Sequence, residues 1–511
     1  MGVSESADFQ RMTSIGKLAV AVPGARLVGN GETRVTNITY DSRLVRDGSL
    51  FAALVGGDFN GHDFVQQAVD AGAAAVLVET EQDIPVPQVI VPGSSRAALS
   101  PVSCAFYDDP SRNLSVIGIT GTDGKTTTAA MLESILHGSA HQVGAIGTVG
   151  VRIGNGVTYD PGHQTTPESN YVQRYLREMV DAGTTHVVIE ATSHGLATHR
   201  LDGVRFSFAG VTNITHEHLE YHKTIENYRR AKAILLERVS DFGGIVVLNN
   251  DDSGARSIRS YAGNATCLTY SAFGTTADLM ARNVEAIGTG TGFDVVDNNM
   301  VSHVTLPMPG EFNVANALCA LGLARACGIS LDDAVQALQR AEPVKGRMQP
   351  IDAGQPFHVV VDYAHTPESV RTVLTLLRSR YPDGQLIVVT GSAGERDLGK
   401  RPLQGAVCAK VADITIVTSE DPRHEDPDVI IGQIVDGAVA AGAVRGESVL
   451  AITDRREAIA RAFNLARSGD CVLLAGKGHE TSIIYGFEHR PWDEADVAEE
   501  LLREMFGPRI S

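Results

Sequence analysis

Leu114-Ser115-Val116-Ile117-Gly118-Ile119-Thr120, followed by Gly121-Thr122-Asp123-Gly124-Lys125-Thr126-Thr127, is the stretch on which the fold turns. Its first seven residues are a near-continuous apolar run, the pattern of a strand covered on both faces of a parallel sheet. A glycine-rich turn follows, and an amphipathic helical pattern starts near Lys125. A strand that feeds a helix through such a loop aims backbone amides and a helix N-terminus at one spot, where a polyphosphate can bind. Lys125 then reaches the terminal phosphates, and the Thr126 hydroxyl suits Mg2+. The strict phosphate-loop spacing is not met, because Ile119 stands where its first glycine belongs. A well-capped helix start without a ligand is the competing reading. The strand before, the helix after and the run Thr126-Thr127-Thr128 favour the nucleotide.

Downstream of this loop, buried-strand patterns recur at His186–Glu190, 207–212 and 244–248, with helical patterns between them. After Pro343-Val344-Lys345-Gly346-Arg347 a third series begins, at 357–361, Leu386–Thr390, 414–418 and 472–475. Each of its strands ends in a polar or glycine-rich segment, which is where open α/β sheets put ligands. Upstream, short apolar runs at 49–54, 74–78 and 88–91 alternate with Gly- and Pro-containing turns. The expectation is an α/β protein of three domains, which suits 511 residues. These are a small α/β unit at 1–112, a central P-loop-type, mostly parallel sheet at 113–345 and a Rossmann-like unit at 346–511.

Composition narrows the function. The chain is 43% hydrophobic and 20% charged, enough for large cores, yet no run of about 18 apolar residues occurs. The first 25 residues also lack a continuous apolar core. Neither a membrane span nor a secretory signal is expected, and the protein should be soluble and cytoplasmic. The six cysteines are scattered without metal-type spacing, so free buried thiols are expected. A net charge of -18 disfavours nucleic acid and anionic lipid as partners, although a local cluster of donors can still hold a phosphorylated small molecule.

Three further features carry chemistry. Glu190 ends a strand beside the phosphate loop, where a carboxylate can hold Mg2+ against a nucleotide. The segment from Thr212 to His222 collects His216, Glu217, His218, Glu220 and His222. Zinc is disfavoured there because no thiolate joins the cluster. In the third region Arg396 and Arg423 can each grip a carboxylate in two-pronged fashion, and Glu480 can receive an ammonium; structural ion pairs are the alternative.

Gly-Thr-x-Gly-Lys-Thr-Thr resembles the signature loop of the Mur ligase and folylpolyglutamate synthetase superfamily, and the resemblance runs from about residue 40 to residue 480. It implies an ATP-dependent ligase of cell-wall precursor synthesis, closest to the type that adds the third amino acid to UDP-N-acetylmuramoyl-L-Ala-D-Glu. It assigns ATP contacts to Gly121, Thr122, Asp123, Gly124, Lys125, Thr126, Thr127, Asn313, Arg347 and Asp362. Asp123 replaces the usual Asn, and its added charge is expected to face away or to contact water on Mg2+. Thr126, Glu190, His218 and Lys232 are implied as the Mg2+ set, with Lys232 carrying a CO2-derived carbamate; Lys125, Lys232 and His218 serve the chemistry. His216 and His222 are then surface groups or supports of that set.

For the acceptor, the resemblance implicates Ser42 in Tyr40-Asp41-Ser42-Arg43, and Thr165, Thr166, Thr192 and Arg200 around the muramoyl-dipeptide. Thr198 departs from the Gln of some members. For the incoming amino acid it implicates Arg396, Glu420, Asp421, Pro422, Arg423, Gly476 and Glu480. The family motif Asp-Asn-Pro-Arg here reads Glu420-Asp421-Pro422-Arg423. Arg423 favours meso-diaminopimelate, while Glu420 and Glu395-Arg396-Asp397-Leu398 keep L-lysine or L-ornithine open. The implied reaction phosphorylates the D-glutamyl carboxylate and then couples the amine to the acyl phosphate. A folylpolyglutamate synthetase is disfavoured by the Asp-Ser-Arg segment and the arginine set. A GTPase-type switch is disfavoured because no Asn-Lys-x-Asp is found, and a silent binding protein because Lys125, Glu190 and Lys232 are all present.

Overall fold

The computed structural model describes residues 11–56, 59–158, 164–215, 217–288, 290–298 and 300–507. The apolar runs become strands of three main sheets. At the heart of the eleven-stranded central sheet, Val143–Gly147, His186–Glu190, Ser115–Thr120, Phe208–Val211, Ile245–Asn249 and Thr266–Ser271 lie side by side in that order, all parallel. Antiparallel ribbons extend both flanks: Gly150–Ile153 with Gly156–Thr158 on one, and Gly290–Asp297 with Met300–Leu306 beyond Leu279–Ile287 on the other.

Side-chain alternation along Ser115–Thr120 divides the layers. Ile117 and Ile119 join the core formed with helices Lys125–Gly138 and Glu311–Ala326. Val116 joins the opposite core, with Ser169–Asp181 and Ile225–Ser240. Burying each such aliphatic side chain contributes about 1.5–3 kcal/mol. Gly118 faces the second layer, where a Cβ would lie 2.6 Å from Leu235 Cδ1. The missing side chain lets the helix Ile225–Ser240 approach closely, and that helix carries Lys232.

The C-terminal sheet has six strands in the order Gln349–Ile351, His358–Asp362, Cys471–Ala475, Leu386–Thr390, Ile414–Val417 and Val449–Ala451, parallel except for the first. The N-terminal sheet has five, four of them parallel. The strands expected from sequence form within one or two residues of their expected limits, and the fold is α/β as read. Both antiparallel ribbons of the central sheet were not foreseen. All six cysteines are free; Cys267 and Cys327 are half-buried and the other four are buried. Burial pushes the Cys104 and Cys408 thiols up to about 12. Among the described residues no helix is long and apolar enough to cross a membrane.

Register places the chemistry on one edge. Glu190 pairs with Ile119 and Val211 with Thr120, so the carboxyl ends of these strands lie level with the phosphate loop. In the C-terminal sheet Asp362 pairs with Ala475, immediately before Gly476.

Candidate functional site

The loop between Thr120 and Lys125 closes so tightly that two of its glycines are obligatory. A Cβ on Gly121 would lie 1.8 Å from Thr212 Oγ1, and one on Gly124, at φ +83°, 2.3 Å from Asn316 Oδ1. The Thr122 amide donates to the Asn213 carbonyl at 2.8 Å, and the Asp123 amide to Asn213 Oδ1 at 2.9 Å. Lys125 folds back over the loop and donates to the Gly121 and Thr122 carbonyls at 2.9 and 2.7 Å. Lys232 reaches the same Gly121 carbonyl at 2.6 Å from the other side. It is 1% exposed, and burial together with the Lys125 charge holds its amine well below the usual lysine range.

Glu190 is buried at its strand end. Its Oε2 accepts from the hydroxyls of Thr126 and Thr148 at 2.8 and 2.9 Å, and its Oε1 from the Thr148 amide at 2.9 Å. Next to it stand the acceptor residues named from sequence. The Thr166 hydroxyl donates to the Glu190 carbonyl at 2.7 Å and lies 2.9 Å from that of Thr192. Thr165 lies 3.2 Å from Thr148, hydroxyl to hydroxyl. Arg200 donates to the Thr166 carbonyl at 2.9 Å, and its Nε lies 3.2 Å from the buried carboxylate of Glu168. The same carboxylate pairs with Arg96 of the N-terminal unit. Ser42 opens a short 3-10 turn, capped by Asp41, whose carboxylate is also taken by Arg43. Thr198 spends its hydroxyl on the His194 carbonyl at 2.7 Å.

On the metal side the structure narrows two expectations, each of which left two alternatives open. Asp123 does not face away: it lines the cavity described below, and burial and the nearby Glu217 push its carboxyl up. Burial opposes ionisation of Glu217, but the His365 imidazole, 3.7 Å away, and the His218 charge outweigh it and hold that carboxyl low. Of the two readings of His222, burial excludes the surface group: it is 6% exposed, packed against His194 and Tyr228, because the short helix Leu219–His222 turns it inward. His218 and Lys232 both flank the Tyr228 ring. His216 lies outside the described residues.

Between the central and C-terminal sheets opens a cavity of about 350 Å³, lined by Asp123, Gly124, Asn313, Arg347, Asp362 and Phe273 among others. Asn313 and Asn316 are hydrogen-bonded to each other at 3.2 Å on its floor. Arg347 stacks 4.6 Å over the Tyr363 ring. Both Asp362 oxygens accept backbone amides, from Met348 at 2.8 Å and Ala364 at 2.7 Å. Asp123, Gly124 and Thr127 of the loop therefore share one cleft with Asn313, Arg347 and Asp362, all named from sequence.

At the carboxyl edge of the C-terminal sheet, Arg423 sits at φ +53° in register with the hairpin formed by Ser482–Tyr485 and Glu488–Pro491. Its Nε is buried without a partner. Arg396 lies on the neighbouring loop, whose Gly394 amide donates to the Asp421 carbonyl at 2.8 Å, and burial and the Arg423 charge push its guanidinium below the usual range. On the same loop as Arg423, Glu420 Oε2 is buried without a partner, 3.0 Å from where a Cβ on Gly476 would lie, so only glycine leaves that carboxylate uncovered. Asp421 and Glu480 are less open than expected. Lys477, wholly buried, donates to Asp421 at 2.8 Å and to Glu480 at 2.5 Å, and Asp421 also accepts the Ile484 amide at 3.0 Å. A buried ammonium needs such partners, and Lys477 claims both carboxylates. Pro422 holds the turn, its carbonyl accepting the Glu425 amide.

Sequence reading missed Thr148, Glu168, Lys477 and Arg455, and it named Glu217 only as a member of the cluster at 216–222. Arg455 forms a fully buried fork with Glu494, with contacts of 2.6 to 3.1 Å, and also donates to the Ser419 and Ala475 carbonyls. It thereby ties together the ends of the two strands that lead to Glu420 and Gly476. Only Lys477 had a visible signal, a lysine flanked by Gly476 and Gly478 after a strand.

A phosphate loop, a strand-end carboxylate beside it and a second α/β unit closing over the nucleotide cleft define a nucleotide-dependent enzyme that handles a further substrate. Models of the Mur ligase family, catalytic domain (34–103), the Mur ligase middle domain (119–324) and the Mur ligase glutamate ligase domain (346–478) match the chain in succession. The chain belongs to the Mur ligase family, whose members are ATP-dependent amide ligases. It is 44% identical over 486 residues to a UDP-N-acetylmuramyl-tripeptide synthetase of Roseiflexus, covering 92% of this chain and 95% of that one. It is 40% identical over 479 residues to the UDP-N-acetylmuramoyl-L-alanyl-D-glutamate--2,6-diaminopimelate ligase of Bacillus velezensis, with coverage of 92% and 95%. A solved structure of an enzyme with that second name superposes at a TM-score of 0.65, with 29% identity, across 97% of this chain and 99% of the other.

Proposed function

We propose that this protein uses ATP to join meso-diaminopimelate to the D-glutamyl carboxylate of UDP-N-acetylmuramoyl-L-alanyl-D-glutamate, as the third amino acid of a cell-wall precursor. In this reading 1–112 carries the uridine end, with Ser42 at its diphosphate, 113–345 the nucleotide and dipeptide, and 346–511 the incoming amino acid. The observation that carries it is the placing of Arg396 and Arg423 on two hydrogen-bonded loops at one sheet edge, with the unpartnered Glu420 oxygen on the same loop as Arg423. Two guanidiniums and a carboxylate match an amino acid whose far end is itself zwitterionic.

A carboxylate is a poor electrophile. A D-glutamyl oxygen attacks the γ-phosphorus of ATP, ADP leaves, and the amine then attacks the acyl carbon with departure of phosphate and loss of one amine proton. The loop amides and Lys125, swung from its carbonyl partners onto the phosphates, stabilise charge on the transferring group. Asn313, Arg347 and Asp362 hold the nucleotide across the two sheets, and closure of the C-terminal unit assembles the site. Thr165, Thr166, Thr192 and Arg200 orient the dipeptide.

Hard oxygen donors suit Mg2+, and Thr126 and Glu190 supply two of them 2.8 Å apart. With His218 and a carbamylated Lys232 completing the set, bound Mg2+ would neutralise phosphate charge. The depressed basicity of Lys232 supports the modification: the neutral amine forms an N–C bond to CO2, a proton leaves, and an anionic oxygen ligand replaces a neutral amine.

L-lysine or L-ornithine is a second reading, favoured by the free Glu420 oxygen, which suits a lone terminal ammonium. Steady-state kcat/KM for each of the three amino acids separates the readings. Diaminopimelate should lead by at least about tenfold, the worth of one charged hydrogen bond. A lead for lysine or ornithine would overturn the assignment.

A further inference from the structure

The Thr148 hydroxyl touches both halves of the site at once. It occupies the two-residue turn between Val143–Gly147 and Gly150–Ile153, where Gly147 pairs with Gly150. Its Oγ1 lies 2.9 Å from Glu190 Oε2, 3.2 Å from Thr165 Oγ1 and 3.3 Å from Thr126 Oγ1. The turn is fitted to that position. A Cβ on Gly147 would fall 2.4 Å from Glu190 Oε1, and the Thr148 amide donates to the same oxygen at 2.9 Å.

Hydroxyl chemistry fixes the direction of these bonds. A threonine has one proton to donate and two lone pairs to accept with. An ionised carboxylate only accepts, so the Thr148 proton goes to Glu190. The contact with Thr165 must then run the other way, with Thr165 donating to Thr148. Thr165, its proton committed, is left with lone pairs toward the dipeptide side.

We infer that Thr148 is a positioning residue that joins the nucleotide and Mg2+ side of the site to the acceptor side, and that it makes Thr165 a hydrogen-bond acceptor for an N–H group of the bound dipeptide. The inference rests on the reading of Thr165, Thr126 and Glu190 given above. Losing the Thr148 hydroxyl loosens Glu190 and frees the Thr165 proton, so both sides weaken together. The Thr148 amide bond to Glu190 survives such a change, because it belongs to the backbone.

Thr148→Val keeps shape and removes the hydroxyl, and Thr148→Ser restores it. In the valine variant, the KM for UDP-N-acetylmuramoyl-L-Ala-D-Glu and the Mg2+ concentration for half-maximal rate are each expected to rise about tenfold, the scale of one lost charge-assisted hydrogen bond. The KM for ATP at saturating Mg2+ stays within about twofold, and the serine variant returns both quantities to within about threefold of wild type. Calorimetric titration of the acceptor alone, without nucleotide or metal, gives a readout independent of turnover and should show the same weakening and the same rescue. If only one side of the site changes, or serine fails to rescue, the junction is refuted. A wild-type protein that neither binds nor turns over the acceptor would instead overturn the functional reading.

Discussion

Arg423→Ala removes one of the two guanidiniums at this sheet edge and leaves the backbone in place. The Arg423 amide still donates to the Ile484 carbonyl at 3.0 Å, and the Gly486 amide to the Arg423 carbonyl at 2.7 Å. At φ +53° alanine carries the same left-handed cost as arginine, so the change isolates the side chain. A two-pronged guanidinium–carboxylate contact comprises two charged hydrogen bonds of about 1.5–3 kcal/mol each. Truncation also relieves repulsion from Arg396, about 1 kcal/mol in a partly solvated site, and Arg396 can recapture part of the ligand. The net loss is about 2–4 kcal/mol, a rise of about 30- to 1000-fold in the KM for diaminopimelate. The assay is ADP release at saturating ATP and acceptor, with the KM for ATP as control. That control should stay within about twofold, because the nucleotide cleft is built from other residues. A rise in the KM for diaminopimelate below about threefold, or an equal rise in both constants, would refute a direct contact.

Other outcomes follow from the same geometry. Arg455→Met strands the buried Glu494 carboxylate and is expected to cost about 3–5 kcal/mol in denaturant unfolding, whereas Arg455→Met with Glu494→Leu should recover most of it; equal losses would contradict a paired role. Gly124→Ala drives a Cβ into Asn316 Oδ1 at 2.3 Å and should weaken ATP binding at least about tenfold in titration calorimetry, with acceptor binding preserved. His479 is held down to about 3 by burial and by the Arg347 and Lys477 charges, so the folded protein keeps its ring neutral. The unfolded chain takes up that proton below its usual value of 6.5, and stability therefore falls as pH drops from there towards 3, by up to about 1.4 kcal/mol per pH unit. His479→Gln should flatten this acid-side slope, and an unchanged slope would place the lost stability elsewhere.

The parallel cores were legible because strands covered on both faces must be apolar throughout, as in Ser115–Thr120 and Leu386–Thr390. Leu279–Ile287 was not, because its far half is largely exposed and its composition, with Arg282, Asn283 and Glu285, reads as loop. In the site, the loop from Gly121 to Thr127 could be read from the strand before it, the helix after it and its resemblance to a family signature, because its chemistry is local. Thr148 could not, because its meaning lies in a carboxylate 42 positions away, and Lys477 finds Asp421 only across 56. Asp421 looked like a ligand contact because sequence shows a charge but not which cation claims it. His222 was left open between surface and support for the complementary reason, since sequence does not show that the packing of His194 and Tyr228 covers it.

The most direct test is to incubate the wild-type protein with ATP, Mg2+ and UDP-N-acetylmuramoyl-L-Ala-D-Glu, with and without meso-diaminopimelate, and to follow ADP release together with the mass of the nucleotide-linked product. ADP release that depends on both the acceptor and the amino acid, matched mole for mole by the tripeptide product, is the expected result. ADP release indifferent to the amino acid, or no product larger than the acceptor with any of the three amino acids, would contradict the account.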